Sequence, residues 1–232
     1  MDPDQVVIHL LSPEALSLET AFAHLIESER NRATRFRFPA DTLRWASYRA
    51  QMRMILGDQL ALEPLEVPLT QSEQGKPLLS PPHESLDFNL SHCHDLGLLA
   101  LSTVGPVGVD IEPWIRARDL RECEGTFCHP EEIATLPESI AEREIRLLEI
   151  WTAKEAILKA LGTGLSHPPE SLRVFLDHPQ AAPQSDLLLP GLENLKIHKL
   201  CHPTLAKYRA VLASRAAFST FAFIQKDPGR RR

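Results

Sequence analysis

At 232 residues and 26.0 kDa, the chain is long enough to bury a hydrophobic core without disulfide bonds, as one large domain or two small ones. A composition of 43% hydrophobic and 24% charged residues is typical of a globular protein, and no apolar run is long enough to span a bilayer. The net charge of −6 argues against a general nucleic-acid binder, so we expect no nucleic acid and no membrane among its partners.

The N-terminus and the cysteines favour the cytoplasm. The opening stretch is acidic where a secretory signal would be basic, and its apolar part is too short for one. Since the four cysteines show no repeated close pairing, we expect free thiols in a reducing compartment. A zinc site is the alternative, although the usual short spacing between ligands is not met by the candidates His92, Cys93, His94, Cys123, Cys128 and His129.

The first sixty residues predict a strand followed by two helices. Val6 to Leu11 has strand character, and apolar residues at helical spacing after Ser12 and Pro13 predict one helix that runs to about Phe36. Pro39 breaks that helix, and Asp41 is placed to cap a second one that ends near Leu60. A short strand is predicted over residues 65–69.

Arginines are concentrated in these two helices and the turn between them. Seven arginines and no lysine lie between residues 30 and 53, where Asp41 is the only acid. Guanidinium groups bind phosphate oxygens through two parallel hydrogen bonds. The segment is therefore either a solvated helix face or a site for a small anionic ligand or a partner.

Two turns with polar tips follow. SEQGKP, residues 72–77, predicts a turn in which Gly75 takes a positive φ and Lys76 lies at the tip. Strands over residues 88–90 and 96–102 are predicted to form a hairpin, with a connection made of Ser91, His92, Cys93, His94 and Asp95. Lysine and histidine in such turns are most often solvated or bonded locally, and ligand binding is the alternative.

GVDIEPW, residues 108–114, predicts a strand with two carboxylates on one face. Val107, Val109 and Ile111 alternate with residues 108, 110 and 112, so Asp110 and Glu112 point the same way. Two neighbouring carboxylates need a cation between them or one proton, and oxygen ligands suit a hard ion such as magnesium. The alternative is a strand at a sheet edge with a solvated face.

The longest predicted helix runs from Ala141 to Leu161 and is ended by Gly162. Lys154 and Glu155 occupy positions in its two apolar rows, so both charges point toward the core and need a partner or a metal. An ion pair between Glu155 and Lys159 is the structural alternative. The remaining sequence predicts strands over residues 172–176, 195–200, 208–213 and 217–224, a loop over 179–190 and a frayed charged tail over 226–232.

Together, the co-facing carboxylates and nearby cations indicate chemistry on a phosphorylated substrate. Asp110, Glu112 and Glu155 could hold one magnesium ion, and Lys154 lies beside them in sequence. Cations around such an ion would take phosphate groups. Transfer from a pyrophosphate-containing substrate is the reaction that such a site suits.

Four motifs occur in one order along the chain: GKP, FNLSH, GVDIE and WTAKEAILKALGTGL. Together they resemble the surfactin-synthetase-activating (Sfp-type) class of 4′-phosphopantetheinyl transferases. The similarity runs from about Glu29 to Leu165, and the final predicted strands fit in type without carrying a motif.

The resemblance implies an α+β fold, a pseudo-dimer of two similar α+β halves with the active site in the cleft between them. The first half would comprise residues 1–105, on the 3′-phosphoadenosine side of coenzyme A. The second would comprise residues 106–232, on the metal and pyrophosphate side. A pseudo-dimer of this kind is expected to be a monomer.

The resemblance also assigns residues. The metal ligands would be Asp110, Glu112 and Glu155, with Mg²⁺ as the ion and Mn²⁺ as the alternative. Coenzyme A, the substrate, would be bound through its phosphates and its 3′-phosphoadenosine. The residues that would bind it are Arg32, Arg44, Lys76, Ser91, His92, Asp110, Lys154 and Lys159. Among the catalytic residues, Glu155 would act as the general base, and Glu112 is the second candidate for that role. Lys154 would contact the pyrophosphate. Glu29 departs from the family, where related proteins can have a lysine.

The implied reaction is attack by a serine hydroxyl of an apo acyl or peptidyl carrier protein on the β-phosphate of coenzyme A. This transfers 4′-phosphopantetheine and releases 3′,5′-ADP. The carrier could belong to fatty acid, polyketide or nonribosomal peptide biosynthesis. The arginine-rich helices and the region around Phe127 are candidate docking surfaces for it.

Two other functions use the same residues. A magnesium-dependent hydrolase would cleave coenzyme A or a nucleotide with water and need no carrier protein. A binding module without catalysis would hold coenzyme A or a carrier and turn over neither; disrupted carboxylate motifs would favour it, and all three carboxylates are present.

Overall fold

The computed structural model describes residues 5–178, 181–215 and the backbone of 222–225. Two long helices dominate, and each has 22 residues. The α-helices are α1 (Leu18–Ala23), α2 (Glu27–Ala33), α3 (Pro39–Leu60), α4 (Ala117–Arg121), α5 (Pro130–Ile133) and α6 (Ile140–Leu161).

The strands form two main sheets and two small hairpins. The strands are β1 (Val6–Leu11), β2 (Leu69–Gln71), β3 (Pro77–Leu79), β4 (Asp87–His92), β5 (Gly97–Ser102), β6 (Val107–Pro113), β7 (Leu172–Arg173), β8 (Gln184–Ser185), β9 (Lys196–Lys199), β10 (Tyr208–Ser214) and β11 (Ala222–Gln225). The first sheet has the order β11-β1-β5-β4, and the second has the order β6-β10-β9. Among the described strands of these two sheets, only β1 and β11 pair in parallel.

These elements stack in four layers: α3, the first sheet, the second sheet and α6. One apolar cluster joins α3 to the first sheet, with Met52 of the helix and Leu99 of β5 among its members. A second cluster lies between the sheets and includes Ile8 and Val109. A third joins α6 to the second sheet. Alternate residues of β5 and β6 serve opposite layers, as the strand period of two requires.

The fold class is confirmed as α+β in two halves, each built from a 22-residue helix against a sheet. Of the strands that precede β6, β1, β4 and β5 form the first sheet together with β11, whose residues pair in register with β1 (Val7 with Ala222), whereas β2 and β3 form a separate hairpin. The division after residue 105 stays a prediction. No helix in the described part of the chain is long and apolar enough to cross a membrane.

Several predicted elements are confirmed by the described residues. The opening strand has the predicted bounds, the hairpin of β4 and β5 forms, and α6 begins one residue earlier than predicted. Gly75 and Gly162 take the positive φ angles of 85° and 72° that their turns require. The predicted loop positions 179–180, part of the last strand and the charged tail lie outside the described residues.

The single helix predicted between Pro13 and about Phe36 was wrong. The chain forms two short helices, because it leaves helical geometry at His24 and restarts at Glu27, where the Glu29 side chain accepts the Ile26 N–H. Asp41 does not cap α3. The helix begins at Pro39, and the Asp41 carboxylate lies in its first turn, where it pairs with Arg44. The strand predicted over residues 65–69 begins only at Leu69.

Candidate active site

Helix α6 lies directly on the acidic strand because Gly108 has no side chain. A Cβ at this position would be 2.0 Å from the Ala156 carbonyl oxygen and 2.3 Å from the Ala160 nitrogen. The helix therefore covers the face of β6 that carries Asp110 and Glu112. The alternative of a solvated strand face is excluded, since Asp110 is only 3% exposed.

Polar side chains of β4 hold the free edge of β6. Asp87 Oδ2 accepts the Val107 N–H at 2.7 Å, and Asn89 Oδ1 accepts the Val109 N–H at 2.9 Å. These side chains replace the partner strand that an edge strand lacks. The alternating polar residues of DFNLS thus join the two halves beside the acidic strand.

Lys159 lies among the acidic side chains. Its Nζ is 2.6 Å from Asp110 Oδ1 and 3.7 Å from Glu155 Oε2, and it donates to the Ser91 hydroxyl at 3.2 Å. Ser91 Oγ in turn donates to Asp110 Oδ1 at 2.8 Å. The other Asp110 oxygen, Oδ2, is buried and has no hydrogen-bond partner within the part of the chain that the structure describes. The predicted Glu155–Lys159 pair therefore exists within a larger cluster.

Burial and mutual repulsion raise the pKa of two carboxyls in this cluster. Burial raises the pKa of Glu112, and the charge of Asp110 adds to the effect. The pKa of Glu155 is raised by burial and by Asp110, against the opposing charge of Lys159. Burial lowers the pKa of Lys159, but Asp110 and Glu155 outweigh it and the net shift is upward. Lys159 is accordingly a stable cation.

Glu112 is held by an indole and a guanidinium. Trp151 Nε1 donates to Glu112 Oε1 at 3.2 Å, and Arg116 Nε lies 3.4 Å from the same oxygen. The Arg116 guanidinium also lies 5.9 Å from the centre of the Trp151 ring. The tryptophan of the helix motif thus positions a carboxylate of the strand motif.

An open cavity of about 840 Å³ lies over this cluster, between the two halves. Among its lining residues are seven of the predicted site residues: Arg44, Ser91, His92, Asp110, Glu112, Glu155 and Lys159. The structure therefore brings together residues of α3, β4, β6 and α6 that are distant in sequence.

The first half contributes a guanidinium and an imidazole to this cavity. Arg44 is fixed by its Nε, which donates to the His94 carbonyl at 3.0 Å, and by Asp41 at 2.8 Å from its Nη1. Burial lowers the pKa of His92, and the charges of Lys159 and Arg44 lower it further. His92 is therefore a neutral hydrogen-bonding group at neutral pH.

Lys154 is not part of the cavity, which corrects its expected place on the pyrophosphate. The side chain is completely buried, and its Nζ donates to the Phe127 carbonyl at 2.7 Å, to Glu132 Oε2 at 2.7 Å and to the Pro169 carbonyl at 3.0 Å. All three protons of Lys154 are used by protein acceptors and its side chain has no exposed surface, so this position does not support a direct contact with a substrate. Its inward direction was predicted correctly; its partner is Glu132.

Lys76 and Arg32 also lie outside this cavity. Lys76 Nζ donates to Asp87 Oδ2 at 3.0 Å and to the carbonyls of Val107 and Ala160 at 3.4 and 3.2 Å. It therefore links the first half to β6 and α6. The Arg32 guanidinium lies 5.3 Å from the Trp45 ring centre, in a separate cavity of about 470 Å³.

Glu29 stands where the family can have a lysine, and the structure gives the reason. Its carboxylate is 6% exposed and binds two arginines, with Oε1 2.5 Å from Arg49 Nε and Oε2 2.6 Å from Arg53 Nε. The acid is a structural anion between α2 and α3, so part of the arginine cluster is already neutralised.

The sequence prediction missed Arg116, Arg118 and Ile115, which line the cavity. Arg116 could have been found, because it follows Glu112 by four residues.

Ile115 is 79% exposed at the cavity rim, whereas Phe127, the residue at the centre of a predicted docking surface, is buried against Trp151. Phe127 itself therefore offers no docking surface, and docking by the region around it stays a prediction. In the described residues, no group of three or more His, Cys, Asp or Glu side chains is arranged to hold a metal ion.

Comparisons with known proteins place the chain in a family. Residues 106–213 match the model of the 4′-phosphopantetheinyl transferase superfamily, and residues 11–104 match that of the 4′-phosphopantetheinyl transferase N-terminal region. The 4′-phosphopantetheinyl transferase HetI of Nostoc is 35% identical over 68% of this chain and 68% of its own length. The 4′-phosphopantetheinyl transferase psf-1 of Bacillus pumilus is 33% identical over 71% and 68%. Sfp of Bacillus subtilis is 26% identical over 68% and 69%.

The chain belongs to the 4′-phosphopantetheinyl transferase superfamily. Enzymes of this family transfer the phosphopantetheine group from coenzyme A to carrier proteins. The alignments span 65% of a Synechocystis relative and 62% of a Thraustochytrium relative, somewhat under two thirds of their lengths.

Proposed function

We propose that this chain is an Sfp-type 4′-phosphopantetheinyl transferase that modifies a serine of an apo acyl or peptidyl carrier protein. The observation that carries the proposal is the 840 Å³ cavity, in which Asp110, Glu112 and Glu155 face cations from both halves. Residues 1–105 would supply the 3′-phosphoadenosine side and residues 106–232 the metal and pyrophosphate side. The chain would act as a monomer, and its four free thiols suit the cytoplasm.

The chemistry of the donor set suits a divalent cation, although the carboxylates of the described residues are not yet arranged around one ion. Asp110 Oδ2 is a buried carboxylate oxygen with no hydrogen-bond partner among the described residues, and the pKa values of Glu112 and Glu155 are raised by burial and by the charge of Asp110. Oxygen donors of this kind favour Mg²⁺, with Mn²⁺ as the alternative. Asp110, Glu112 and Glu155 would hold the ion, which would supply charge neutralisation for the pyrophosphate.

Cations around the carboxylates would bind coenzyme A. Lys159 is the basic group nearest to the carboxylates, and its raised pKa keeps it charged. From the other half, Arg44, Ser91 and His92 would hold the phosphates and the 3′-phosphoadenosine. Lys76 and Arg32 lie outside this cavity, which favours indirect roles for both residues.

Glu155 is the proposed general base, with Glu112 second. The carboxylate would take the proton of the carrier serine as the serine oxygen forms a bond to the β-phosphorus. The bond from that phosphorus to the bridging oxygen breaks, and the electron pair leaves with 3′,5′-ADP.

Release of 3′,5′-ADP tests the proposal against hydrolysis and simple binding. The full chain is incubated with coenzyme A and Mg²⁺, with and without an apo carrier protein, and products are separated by anion-exchange chromatography. The proposal predicts 3′,5′-ADP in amounts equal to the carrier supplied. Release without a carrier would identify a hydrolase, and coenzyme A binding without any release would identify a binding module.

A further inference from the structure

Tyr48 of α3 supports the imidazole of His92 from beneath the cavity. The two rings are stacked, with centres 4.6 Å apart and planes inclined by 18°. Tyr48 is 1% exposed, whereas His92 lines the cavity at the end of β4. One face of the imidazole is therefore covered by a buried ring, while the residue itself reaches the cavity.

Gly97 makes room for this stack. It pairs with His92 across the β4–β5 hairpin, and a Cβ at position 97 would lie 2.8 Å from Tyr48 Cε1 and 3.4 Å from the Cβ of His92. A side chain there would displace the tyrosine ring. Tyr48, His92 and Gly97 thus form one packed unit, drawn from α3 and both strands of the hairpin.

The tyrosine ring, rather than its hydroxyl, makes the contact. The hydroxyl is buried without a hydrogen-bond partner in the described part of the chain, and burial raises the pKa of Tyr48, so the phenol stays neutral. Because the hydroxyl makes no hydrogen bond, it does not orient the His92 side chain. The stacked tyrosine ring does orient it, because it restricts rotation of the imidazole about the Cβ–Cγ bond, a torsion that is otherwise broad.

We propose that Tyr48 is a positioning residue for His92: it holds the imidazole plane in the orientation that receives the 3′-phosphoadenosine side of coenzyme A. This inference rests on the proposed function. A side chain held in its bound orientation loses less conformational freedom when the ligand arrives, so binding is tighter. Tyr48 itself touches no substrate.

The test measures the dissociation constants of coenzyme A and of 3′,5′-ADP by calorimetry on the full chain. Tyr48→Leu should weaken both by roughly three- to twentyfold, and Tyr48→Phe, which keeps the ring, should restore most of the affinity. Tyr48→Leu combined with His92→Ala should bind no more weakly than His92→Ala alone, because the two residues act as one unit. The NMR signal of the His92 ring should lose its ring-current shift in Tyr48→Leu and keep it in Tyr48→Phe.

Ile55→Ala is the matched control, since Ile55 lies on the same helix and in the same buried cluster without stacking on His92. It should lower stability and leave both constants and the His92 signal unchanged. If folded Tyr48→Leu binds coenzyme A as tightly as the wild type, the positioning role of Tyr48 is overturned and the proposed function is not. The same holds if Ile55→Ala loses as much affinity as Tyr48→Leu. Failure of the unmodified protein to bind coenzyme A would overturn the proposed function itself.

Discussion

Lys154 and Glu155 are adjacent in sequence, yet their side chains lie in different parts of the molecule. Glu155 lines the cavity, and Lys154 is buried on the other side of α6 with Glu132. Successive helix residues differ by about 100° in direction, so neighbours need not share a site. The apolar rows of the sequence predicted that both charges point inward, but they could not separate a cavity from a core.

Glu155→Gln tests the proposed base. The amide cannot accept the serine proton, so we expect the rate of phosphopantetheine transfer to fall by roughly 10²–10⁴-fold with the fold intact. The rate is measured by labelled carrier formation, and the fold by circular dichroism. Glu144→Gln, on the same helix but paired with Arg121 away from the cavity, is the control and should keep its rate. A normal rate in Glu155→Gln would remove Glu155 from the mechanism.

Lys154→Met tests the structural role of the buried lysine. Removing one partner leaves Glu132 charged and buried, which costs roughly 3–5 kcal/mol in the free energy of unfolding. Chemical denaturation measures the loss. The double variant Lys154→Met/Glu132→Gln has no unpaired buried charge at this place. It should therefore recover part of the lost free energy of unfolding, together with transfer activity. If Lys154→Met folds normally but binds coenzyme A weakly, the lysine is a substrate contact after all.

At the scale of elements, the close approach of α6 to β6 sets the geometry of the carboxylates. The alternation of GVDIE and the helix pattern of residues 141–161 predicted both elements and their buried faces. The sequence could not show that Gly108 is the contact point, because that depends on which residues of the helix cross it. Local patterns likewise failed between Pro13 and Phe36, where α1 ends at Ala23 and the contact of the Glu29 side chain with the Ile26 N–H marks the start of α2.

Gly108→Ala should separate the two elements. The added methyl would overlap the backbone of α6, which cannot move aside as a side chain can, so we expect a loss of about 1–3 kcal/mol and a lower transfer rate. Denaturation and carrier labelling measure the two effects. Gly125→Ala is the control, because a Cβ there meets nothing within 4 Å. Equal behaviour of the two variants would contradict the close contact described here.

In the molecule as a whole, the candidate active site lies where the two main sheets pack against each other. The polar side chains of β4 cap the edge of β6, and Lys76 joins the β3 turn to β6 and α6. The resemblance of the sequence motifs indicated seven of the residues that line the cavity. It could not distinguish a motif residue that lines the cavity from one that holds the halves together, since both are polar residues in the same turns.

Lys76→Met should weaken this junction. Loss of a charged donor that serves Asp87 and two carbonyls is expected to lower the free energy of unfolding by roughly 1.5–3 kcal/mol. Lys207→Met, at an exposed position, is the control and should change stability by less than about 0.5 kcal/mol. A stable Lys76→Met protein with weak coenzyme A binding would instead favour a direct phosphate contact.

The central claim is that the carboxylate and cation cluster between the halves transfers phosphopantetheine to a carrier serine. Intact-protein mass spectrometry tests it most directly, using apo acyl and peptidyl carrier proteins, coenzyme A and the full chain, with and without Mg²⁺. We expect a mass gain of one phosphopantetheine that needs the metal, the carrier serine and Glu155. No gain on any carrier despite measured coenzyme A binding, or a gain that survives replacement of the carrier serine, would contradict it.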